Sequence, residues 1–388
     1  MSKSTLYELP ISVPSAINGW AGDNPTPGGG NELPVFYPAT GEQIAILIED
    51  DASSVDVAVT AARRAFDEGP WPKLSIAERI SVLESCSKLI LDNADELARL
   101  ECAASGLILR ELKERHMARA AYNFRFFANY ISQSAGQRFD QSPGYMTTVV
   151  REPVGVAALI APWNAPVSLA TMKIAAALAF GNTCIVKPSE QTPIALARLV
   201  KLLQEVLPEG VLSLVNGRGP VTGQALVDHT GVDLISFTGG TETGRTIMSS
   251  AGRRLIPTTL ELGGKSANII FESANYERAL DGALLGIFSN NGQQCLAGSR
   301  ILVQSSIFND FVGRFIERAQ KIRVGDPTRD DTELGPLASF SHMQRVLSFV
   351  ETANADGGLL LTGGNRLENL GDGYFVSTTA VSVPSNQT

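Results

Sequence analysis

From Val154 to about residue 240, short apolar runs alternate with longer stretches in which apolar residues recur at helical spacing. The runs are VGVAALI, NTCIVK, VLSLV and LISFTG, and the helical stretches span residues 167–180, 193–207 and 220–229. Strands that are apolar at nearly every position are buried on both faces, which is typical of a parallel sheet between two layers of helices. The pattern therefore predicts a doubly wound α/β domain.

The segment before this domain is predicted to be a hairpin followed by helices. VFYPATGEQIAIL places turn residues at positions 38–41 between two β-prone runs. A helical period begins near Ser53, and Ser75 with Glu78 forms a capping box that starts a second helix. Helices are expected to continue to residue 133, and we expect the aromatic stretch AAYNFRFFANY to lie in the core.

Two further regions complete the chain. Residues 134–150 are polar and turn-rich and end in a β-branched run, which indicates an arm or a linker. From Ala267 a second α/β series follows, with strands near ANIIF and RILVQ and helices near 276–291, 306–323 and 340–356. A length of 388 residues suits this division into two domains.

Composition and charge narrow the class of partner. The net charge is −8 and the basic residues are scattered, so neither indicates a nucleic-acid surface. No apolar run reaches the roughly 18 residues of a membrane span, and no apolar region follows Lys3 as in a signal peptide. A cytoplasmic protein acting on a small molecule is expected. The four cysteines and three histidines lack metal-ligand spacing, so no metal site is expected.

Cys295 stands apart from the other cysteines because its surroundings, FSNNGQQCLAGSR, are polar and rich in glycine. A free cysteine is most often a small buried hydrophobe, and packing is the alternative interpretation. Gly292 and Gly298 allow a ligand to approach the backbone closely, and the neighbouring amides supply hydrogen-bonding groups. Cys295 is therefore a candidate nucleophile.

Polar motifs follow the predicted strands at their carboxyl ends, where open α/β sheets bind ligands. These are residues 162–164 (PWN), 187–190 (KPSE) and 237–244 (FTGGTETG). The third motif puts glycines in a turn that opens a helix, which is typical of phosphate binding. Its spacing differs from GxGxxG, so a tight turn between strand and helix is the alternative.

ELGGKS places Glu261 after another apolar strand, TTLEL, at the same edge of the sheet. A nucleotide-triphosphate loop would require glycine five residues before Gly264, where Thr259 stands. The chain also lacks the GxSxG motif of the simplest serine hydrolases. Glu261 remains as a candidate carboxylate near the nucleophile.

Together, APWN, KPSE, SFTGGTETG, ELGGKS and GQQC occur in the order found in the aldehyde dehydrogenase superfamily, which this chain resembles from INGW through GYFV. The resemblance implies a dinucleotide-binding domain at residues 1–133 and 151–262, an oligomerisation arm or linker at 134–150, and part of a catalytic domain at 263–388. Members typically continue to an EIFGP-type motif, so we expect either a fragment or a natural truncation. A homo-dimer or homo-tetramer is the implied assembly.

The resemblance also implies a metal-free mechanism. Cys295 would attack the aldehyde to give a thiohemiacetal, which hydride transfer to a nicotinamide would convert into a thioester. The side-chain amide of Asn164 and the backbone N–H of Cys295 would bind the oxyanion. Glu261 would activate the water that hydrolyses the thioester.

The implied cofactor contacts lie at the strand ends. Lys187 and Glu190 would bind the adenosine ribose hydroxyls, and a carboxylate there favours NAD over NADP because it repels a 2′-phosphate. NADP is the alternative cofactor. Trp163 and Ile160 would line the cofactor path. The remaining expected contacts are Gly217, Phe237, Thr238, Gly239 and Gly240.

The sequence leaves alternatives open for the substrate and for the activity of the chain. Ala165, Leu169, Met172 and Leu296 predict an apolar tunnel for aromatic or medium aliphatic aldehydes, with core packing an equal interpretation for Met172. A dehydrogenase that transfers the acyl group to coenzyme A is a second hypothesis, although such relatives commonly lack the glutamate. A third is an inactive truncated homologue that acts as a binding or assembly partner.

Overall fold

The fold consists of strands and helices that alternate through most of residues 7–385, the part of the chain described in this computed structural model. The strands are β1 Ala16–Ile17, β2 Trp20–Ala21, β3 Asn24–Pro25, β4 Gly29–Tyr37, β5 Glu42–Asp50, β6 Gln137–Ser142, β7 Tyr145–Val149, β8 Val156–Ile160, β9 Thr183–Lys187, β10 Leu212–Leu214, β11 Leu234–Gly239, β12 Thr258–Leu262, β13 Ala267–Ile270, β14 Arg300–Val303, β15 Leu359–Thr362 and β16 Ala380–Ser382. The helices are α1 Ala52–Asp67, α2 Ile76–Asp92, α3 Ala94–Ser105, α4 Leu109–Glu111, α5 Met117–Ser132, α6 Pro166–Ala179, α7 Ile194–Gln204, α8 Gln224–Asp228, α9 Thr241–Arg254, α10 Tyr276–Phe288, α11 Phe308–Gln320 and α12 Phe340–Ala355.

A seven-stranded sheet in the order β12-β11-β8-β9-β10-β2-β3 is the centre of the larger half of the molecule. Strands β8 to β12 run parallel, as predicted, and the short β2 and β3 extend one edge in antiparallel fashion. Along β8, Val156, Ala158 and Ile160 pack with residues of α1, α8 and α9, whereas Ala157 and Leu159 pack with residues of α6 and α7. Because successive strand residues face opposite sides, an unbroken apolar strand needs helices on both faces.

The N-terminal hairpin and the capping box are confirmed. Strands β4 and β5 pair in antiparallel fashion around a turn in which Gly41 has a φ of 73°, and β1 adds to β5 in parallel. At the start of α2 the Ser75 hydroxyl accepts a hydrogen bond from the Glu78 N–H at 3.2 Å, and the Glu78 carboxylate accepts one from the Ser75 N–H at 2.8 Å. Both groups would otherwise be unsatisfied at a helix end.

The expectation that the aromatic residues of α5 lie in the core is correct for only part of the helix. Phe124 is fully buried, but Tyr122, Phe126 and Tyr130 are exposed. The three exposed rings recur at every fourth position, so they form one face of the helix that is about half exposed. The hairpin of β6 and β7 follows α5, and all its residues are exposed, so segment 134–150 has the form of an arm.

The second α/β series occurs where the sequence predicts it. Strands β13 and β14 pair in parallel, and α10 and α11 cover one face through a small core around Leu280, Phe311 and Phe315. Helix α12 contacts the antiparallel pair β15 and β16. Within residues 7–385, no helix combines the length and apolar character needed to cross a membrane.

A buried carboxyl group holds the start of α6. No side chain of the flanking residues caps this helix, and instead Glu101 of α3 accepts the Val167 N–H at 3.1 Å. The Glu101 side chain is completely buried, and burial raises its pKa to about 8. His116 lies 3.9 Å from the other carboxyl oxygen, and burial lowers its pKa to about 4. Both groups are therefore mainly neutral at pH 7, which avoids burying an unpaired charge.

We expect Glu101→Gln to stabilise the fold at alkaline pH. The pKa of Glu101 is higher in the folded state than its ordinary value of 4.5, so the folded state binds more protons between pH 4.5 and 8 and loses stability as the pH rises through that window. Glutamine keeps an acceptor for Val167 and cannot ionise. Its melting temperature should match that of the wild type near pH 4.5 and exceed it at pH 9, by about 1 °C per kcal/mol for a chain of this length.

Thermal unfolding followed by circular dichroism between pH 4.5 and 9 measures this difference. Glu101→Leu is the control, because it also cannot ionise but leaves the Val167 N–H without its acceptor, and it should melt below Glu101→Gln at every pH. Parallel wild-type and Glu101→Gln curves across the whole pH range would contradict the assignment.

Candidate active site

The loop that carries Cys295 is anchored by an asparagine. After α10 the chain turns through Asn291, whose φ is 55°, a conformation that asparagine tolerates better than most residues. Its side-chain amide donates to the carbonyls of Gly106 and Pro336, both at 3.0 Å, and accepts the Gly335 N–H at 2.8 Å. The loop is thereby fixed to the end of α3 and to the segment that precedes α12.

Asn164 reaches the same loop, as the resemblance implies. Its side-chain nitrogen donates to the carbonyl of Gln293 at 2.7 Å, and the Asn290 amide donates back to the Asn164 carbonyl at 2.8 Å. The Gln293 side chain in turn accepts the Ala338 N–H at 3.0 Å. An amide nitrogen carries two hydrogens, so the Asn164 side chain keeps a second donor beside its bond to Gln293.

Cys295 is exposed, so it does not have a packing role within the described residues. Cys86, Cys102 and Cys184 are buried, and burial raises the pKa of each thiol, to about 12 for Cys86. Thiolates are the reactive form of cysteine, so the three buried thiols are chemically inert by comparison. Among the four cysteines, only Cys295 has the accessibility that a nucleophile requires.

Glu261 lies near the end of β12, opposite Thr238 of β11, and its side chain is exposed. The loop that follows it continues to the nucleophile, since a β-carbon at Gly264 would lie 3.1 Å from the carbonyl oxygen of Cys295. The strand ends of the parallel sheet therefore bring Asn164 and the Glu261 segment to the Cys295 loop from two directions.

Lys173 is a neighbour of Glu261 that the motifs do not indicate. It lies in α6, is only 6% exposed, and donates to the Ser236 hydroxyl at 2.9 Å; Thr259 donates to the same oxygen at 2.7 Å. Burial lowers the pKa of Lys173 to about 8, and the charge of Glu261 acts in the opposite direction. A single cation inside the apolar helix PVSLATMKIAAALA is the sequence signal that could have revealed it.

The N-terminus of α9 has the features of a diphosphate site. Gly240 precedes the helix and provides no side-chain cap, so the first N–H groups of a 14-residue helix are free to bind an anion. The buried hydroxyl of Thr238 has no hydrogen-bond partner among the described residues. Gly239 packs against the ring of Phe237, where a β-carbon would approach to 2.5 Å. These residues fit the dinucleotide expected from the sequence.

The other expected cofactor residues surround the ends of β8, β9 and β10. Ile160 is the buried last residue of β8, and the Trp163 ring lies 4.7 Å from the ring of His342, centroid to centroid. Lys187 is buried at the end of β9 with its Nζ 4.0 Å from Glu190, and it donates to the Pro188 carbonyl at 3.0 Å.

Gly217 follows β10 with a φ of 144°, and a β-carbon there would lie 2.0 Å from the Thr222 hydroxyl. Only glycine fits this position.

Comparisons with known proteins identify the family. Residues 26–388 match the model of the aldehyde dehydrogenase family. The chain belongs to the aldehyde dehydrogenase family. It is 43% identical over 328 residues to 5-carboxymethyl-2-hydroxymuconate semialdehyde dehydrogenase of Escherichia coli, covering 84% of this chain and 69% of that protein. The NAD+ complex of aldehyde dehydrogenase from Bacillus cereus superposes with a TM-score of 0.91 at 37% identity, covering 94% of this chain and 74% of that one.

Betaine aldehyde dehydrogenase of Staphylococcus aureus, also in complex with NAD+, superposes equally well, with a TM-score of 0.91, 37% identity and coverage of 94% and 73%. The expected α/β fold and the expected activity, oxidation of an aldehyde with NAD, are thereby confirmed at the level of this aldehyde dehydrogenase family. The roles of individual residues stay predictions.

Thiol labelling should separate Cys295 from the other cysteines of this aldehyde dehydrogenase. Under native conditions, we expect one of the four thiols to react quickly with a chromogenic disulfide reagent and all four to react after unfolding. Cys295→Ala should remove the fast phase, whereas the control Cys86→Ala should leave it unchanged. A fast phase that persists in Cys295→Ala would contradict the structure.

Proposed function

We propose that this chain oxidises its aldehyde through a covalent thioester on Cys295, with Asn164 as oxyanion donor and Glu261 as base. The observation that carries the proposal is the 2.7 Å hydrogen bond from Asn164 to the Gln293 carbonyl, which brings an amide from the sheet edge to the nucleophile loop. Acyl chemistry at a thiol needs a nucleophile, an oxyanion donor and a base, and these three residues supply them.

In the first half of the proposed reaction, the Cys295 sulfur forms a bond to the carbonyl carbon and the carbonyl electron pair moves to oxygen. The Asn164 amide and the Cys295 N–H donate hydrogen bonds to that oxyanion, which has more charge than the carbonyl it came from. NAD, held by the residues at the strand ends, would supply the oxidation by taking up the hydride of the aldehyde carbon as the oxyanion electron pair re-forms the carbonyl. A thioester remains on Cys295.

In the second half, Glu261 takes a proton from water as the water oxygen attacks the thioester carbon. The carbon–sulfur bond then breaks, the carboxylic acid leaves and the Cys295 thiolate returns. Lys173 lies near Glu261, and the negative charge of that carboxylate favours the ammonium form of the lysine. A thioester passed to coenzyme A would not need Glu261, so its presence favours hydrolysis.

The proposed cofactor site runs from Lys187 and Glu190 at the ribose to the α9 N-terminus at the diphosphate. NAD is favoured over NADP because Glu190 presents a carboxylate where NADP carries its phosphate. Gly217 would allow close approach of the dinucleotide, and Trp163 and Ile160 would line its path.

For the substrate, we propose an aromatic or medium aliphatic aldehyde. Leu169 and Met172 of α6 are partly buried and follow Asn164 closely, and Leu296 beside the nucleophile is 71% exposed. A semialdehyde with a carboxylate is the second candidate, because the Escherichia coli relative is named for such a substrate.

We further propose a cytoplasmic homo-dimer or homo-tetramer that uses the exposed hairpin of β6 and β7.

Production of NADH from a panel of aldehydes, measured by absorbance, tests the function. Cys295→Ala should give no NADH. Glu261→Gln should still form the thioester, so it should release about one NADH per active site in a burst and then turn over at least about a hundredfold more slowly than the wild type. Activity that survives Cys295→Ala would contradict the mechanism.

Two additions to the same assay separate the alternatives. Coenzyme A should not accelerate the wild type or appear in the product, whereas an acylating enzyme would yield an acyl-coenzyme A. If the chain binds NAD but produces no NADH with any aldehyde, the hypothesis of an inactive binding or assembly partner replaces the proposal.

A further inference from the structure

Four charged side chains meet at the ribose end of the proposed cofactor site. Lys187 and Glu190 follow β9, Glu49 comes from the end of β5, and Arg218 belongs to the loop after β10. Two cations and two carboxylates give this cluster a net charge of zero. Only Lys187 and Glu190 are implied by the sequence motifs, and the proposed mechanism uses neither Glu49 nor Arg218.

Glu49 binds Arg218 through three hydrogen bonds. One carboxylate oxygen accepts the Arg218 backbone N–H and Nε–H, both at 2.9 Å, and the other accepts Nη2–H at 2.7 Å and the Asn31 amide at 3.0 Å. The Glu49 side chain is completely buried, and these bonds, above all the one to the Arg218 side chain, lower its pKa to about 2. Glu49 is therefore ionised at neutral pH and occupies one edge of the guanidinium.

Several hydrogen bonds hold the backbone around the pair of Glu49 and Arg218. The Asp50 N–H donates to the Asn216 carbonyl at 2.7 Å, and the Asp50 carboxylate accepts the Asn216 N–H at the same distance. Thr222 donates to the Asp50 carbonyl at 2.6 Å. A β-carbon at Gly217 would lie 2.8 Å from Cγ of Glu49. The loop after β10 is thus fastened to the end of β5, which fixes Arg218 over Glu49.

The other side of Arg218 faces outward. Its side chain is 44% exposed, and Nη1 has no hydrogen-bond partner among the described residues. The pKa of the guanidinium is raised, first by Glu49 and in smaller part by Glu190. Glu190 also lies 4.0 Å from the Lys187 ammonium. A β-carbon at Gly223 would lie 3.5 Å from Cε of Lys187 and 3.9 Å from the Arg218 carbonyl oxygen, so the loop of Arg218 is adjacent to the pair of Lys187 and Glu190.

We propose that Arg218 and Glu49 are specificity residues that, with Glu190, select the group at the 2′ position of the adenosine ribose. Glu49 occupies the Nε and Nη2 edge of Arg218, the edge best suited to bind a phosphate with two hydrogen bonds. Glu190 repels a phosphate at the remaining edge. A 2′-hydroxyl is preferred while both carboxylates are charged. Removal of Glu190 exposes the outer edge of Arg218 to a 2′-phosphate. This inference rests on the proposed cofactor contacts of Lys187 and Glu190.

Calorimetric binding of ADP-ribose and 2′-phospho-ADP-ribose tests the inference without any catalytic step. The wild type should prefer ADP-ribose. Glu190→Gln should raise the affinity for the phosphorylated ligand by about tenfold, the effect of one hydrogen bond to a charged group. Glu190→Gln combined with Arg218→Gln should lose that gain. Arg218 is partly exposed, so its substitution is expected to leave the fold intact, and thermal melting verifies this.

Two further variants sharpen the test. Glu49→Gln removes the negative charge that compensates Arg218 and should also shift the preference toward the phosphorylated ligand, if its melting temperature shows a folded protein. Glu190→Gln combined with Arg329→Gln is the matched control, because Arg329 is an exposed arginine paired with Asp331 outside this cluster. It should keep the gain of Glu190→Gln.

The outcomes distinguish this inference from the proposed function. If both ligands bind but the gain of Glu190→Gln survives the loss of Arg218, the role of Arg218 is overturned and the cofactor site stands. If neither ligand binds the folded wild type, the proposed cofactor site fails, and the inference fails with it.

Discussion

The hydrogen bond between Asn164 and the Gln293 carbonyl is the contact on which the candidate site depends. Asn164 follows β8 in the larger half of the molecule, and Gln293 lies two residues before Cys295 in the smaller half. All the parallel strands deliver their carboxyl ends to one edge of the sheet, so a loop that contacts this edge meets several motifs at once. The site is therefore a consequence of strand direction together with hydrogen bonds between the two halves of the molecule.

The hydrogen bond between Asn164 and Gln293 can fix the geometry of the site only if both residues are themselves held in place. Glu101 fixes the start of α6, two residues after Asn164, by accepting the Val167 N–H from within the core. On the other side, Asn291 fastens the nucleophile loop to backbone groups of two separate segments. Neither Glu101 nor Asn291 is one of the residues proposed to contact the aldehyde or the attacking water. Both hold polar backbone groups that would otherwise be buried without partners, and so they set the geometry of the candidate site from outside it.

The sequence predicts the parts of this protein whose signals are local. Unbroken apolar runs between stretches of helical period indicate the parallel sheet and its helices, and the capping box at Ser75 needs only residues three positions apart. Motif order predicts which residues stand at the strand ends, and it marks Cys295 as the candidate nucleophile in a separate loop. It does not predict that Glu49 binds Arg218, because that pair joins residues 169 positions apart and appears only when β5 meets the loop after β10. The sequence also does not show that one aromatic face of α5 is exposed. Such a face is equally apolar whether or not other residues cover it.

Two buried lysines, Lys187 and Lys173, lie near carboxylates at this edge of the sheet, but only Lys187 is within ion-pair distance of its carboxylate. Lys187 is within 4.0 Å of Glu190, so that carboxylate is held before a ligand arrives, and less ordering is lost on binding. Lys173 instead bonds to Ser236, and Glu261 makes no hydrogen bond or ion pair among the described residues. A carboxylate that recognises a ribose benefits from being fixed. A base has to approach water, take a proton and release it, so it needs a nearby charge without a bond that immobilises it. The arrangement of the two lysines accordingly fits the proposed roles, recognition for Glu190 and proton transfer for Glu261.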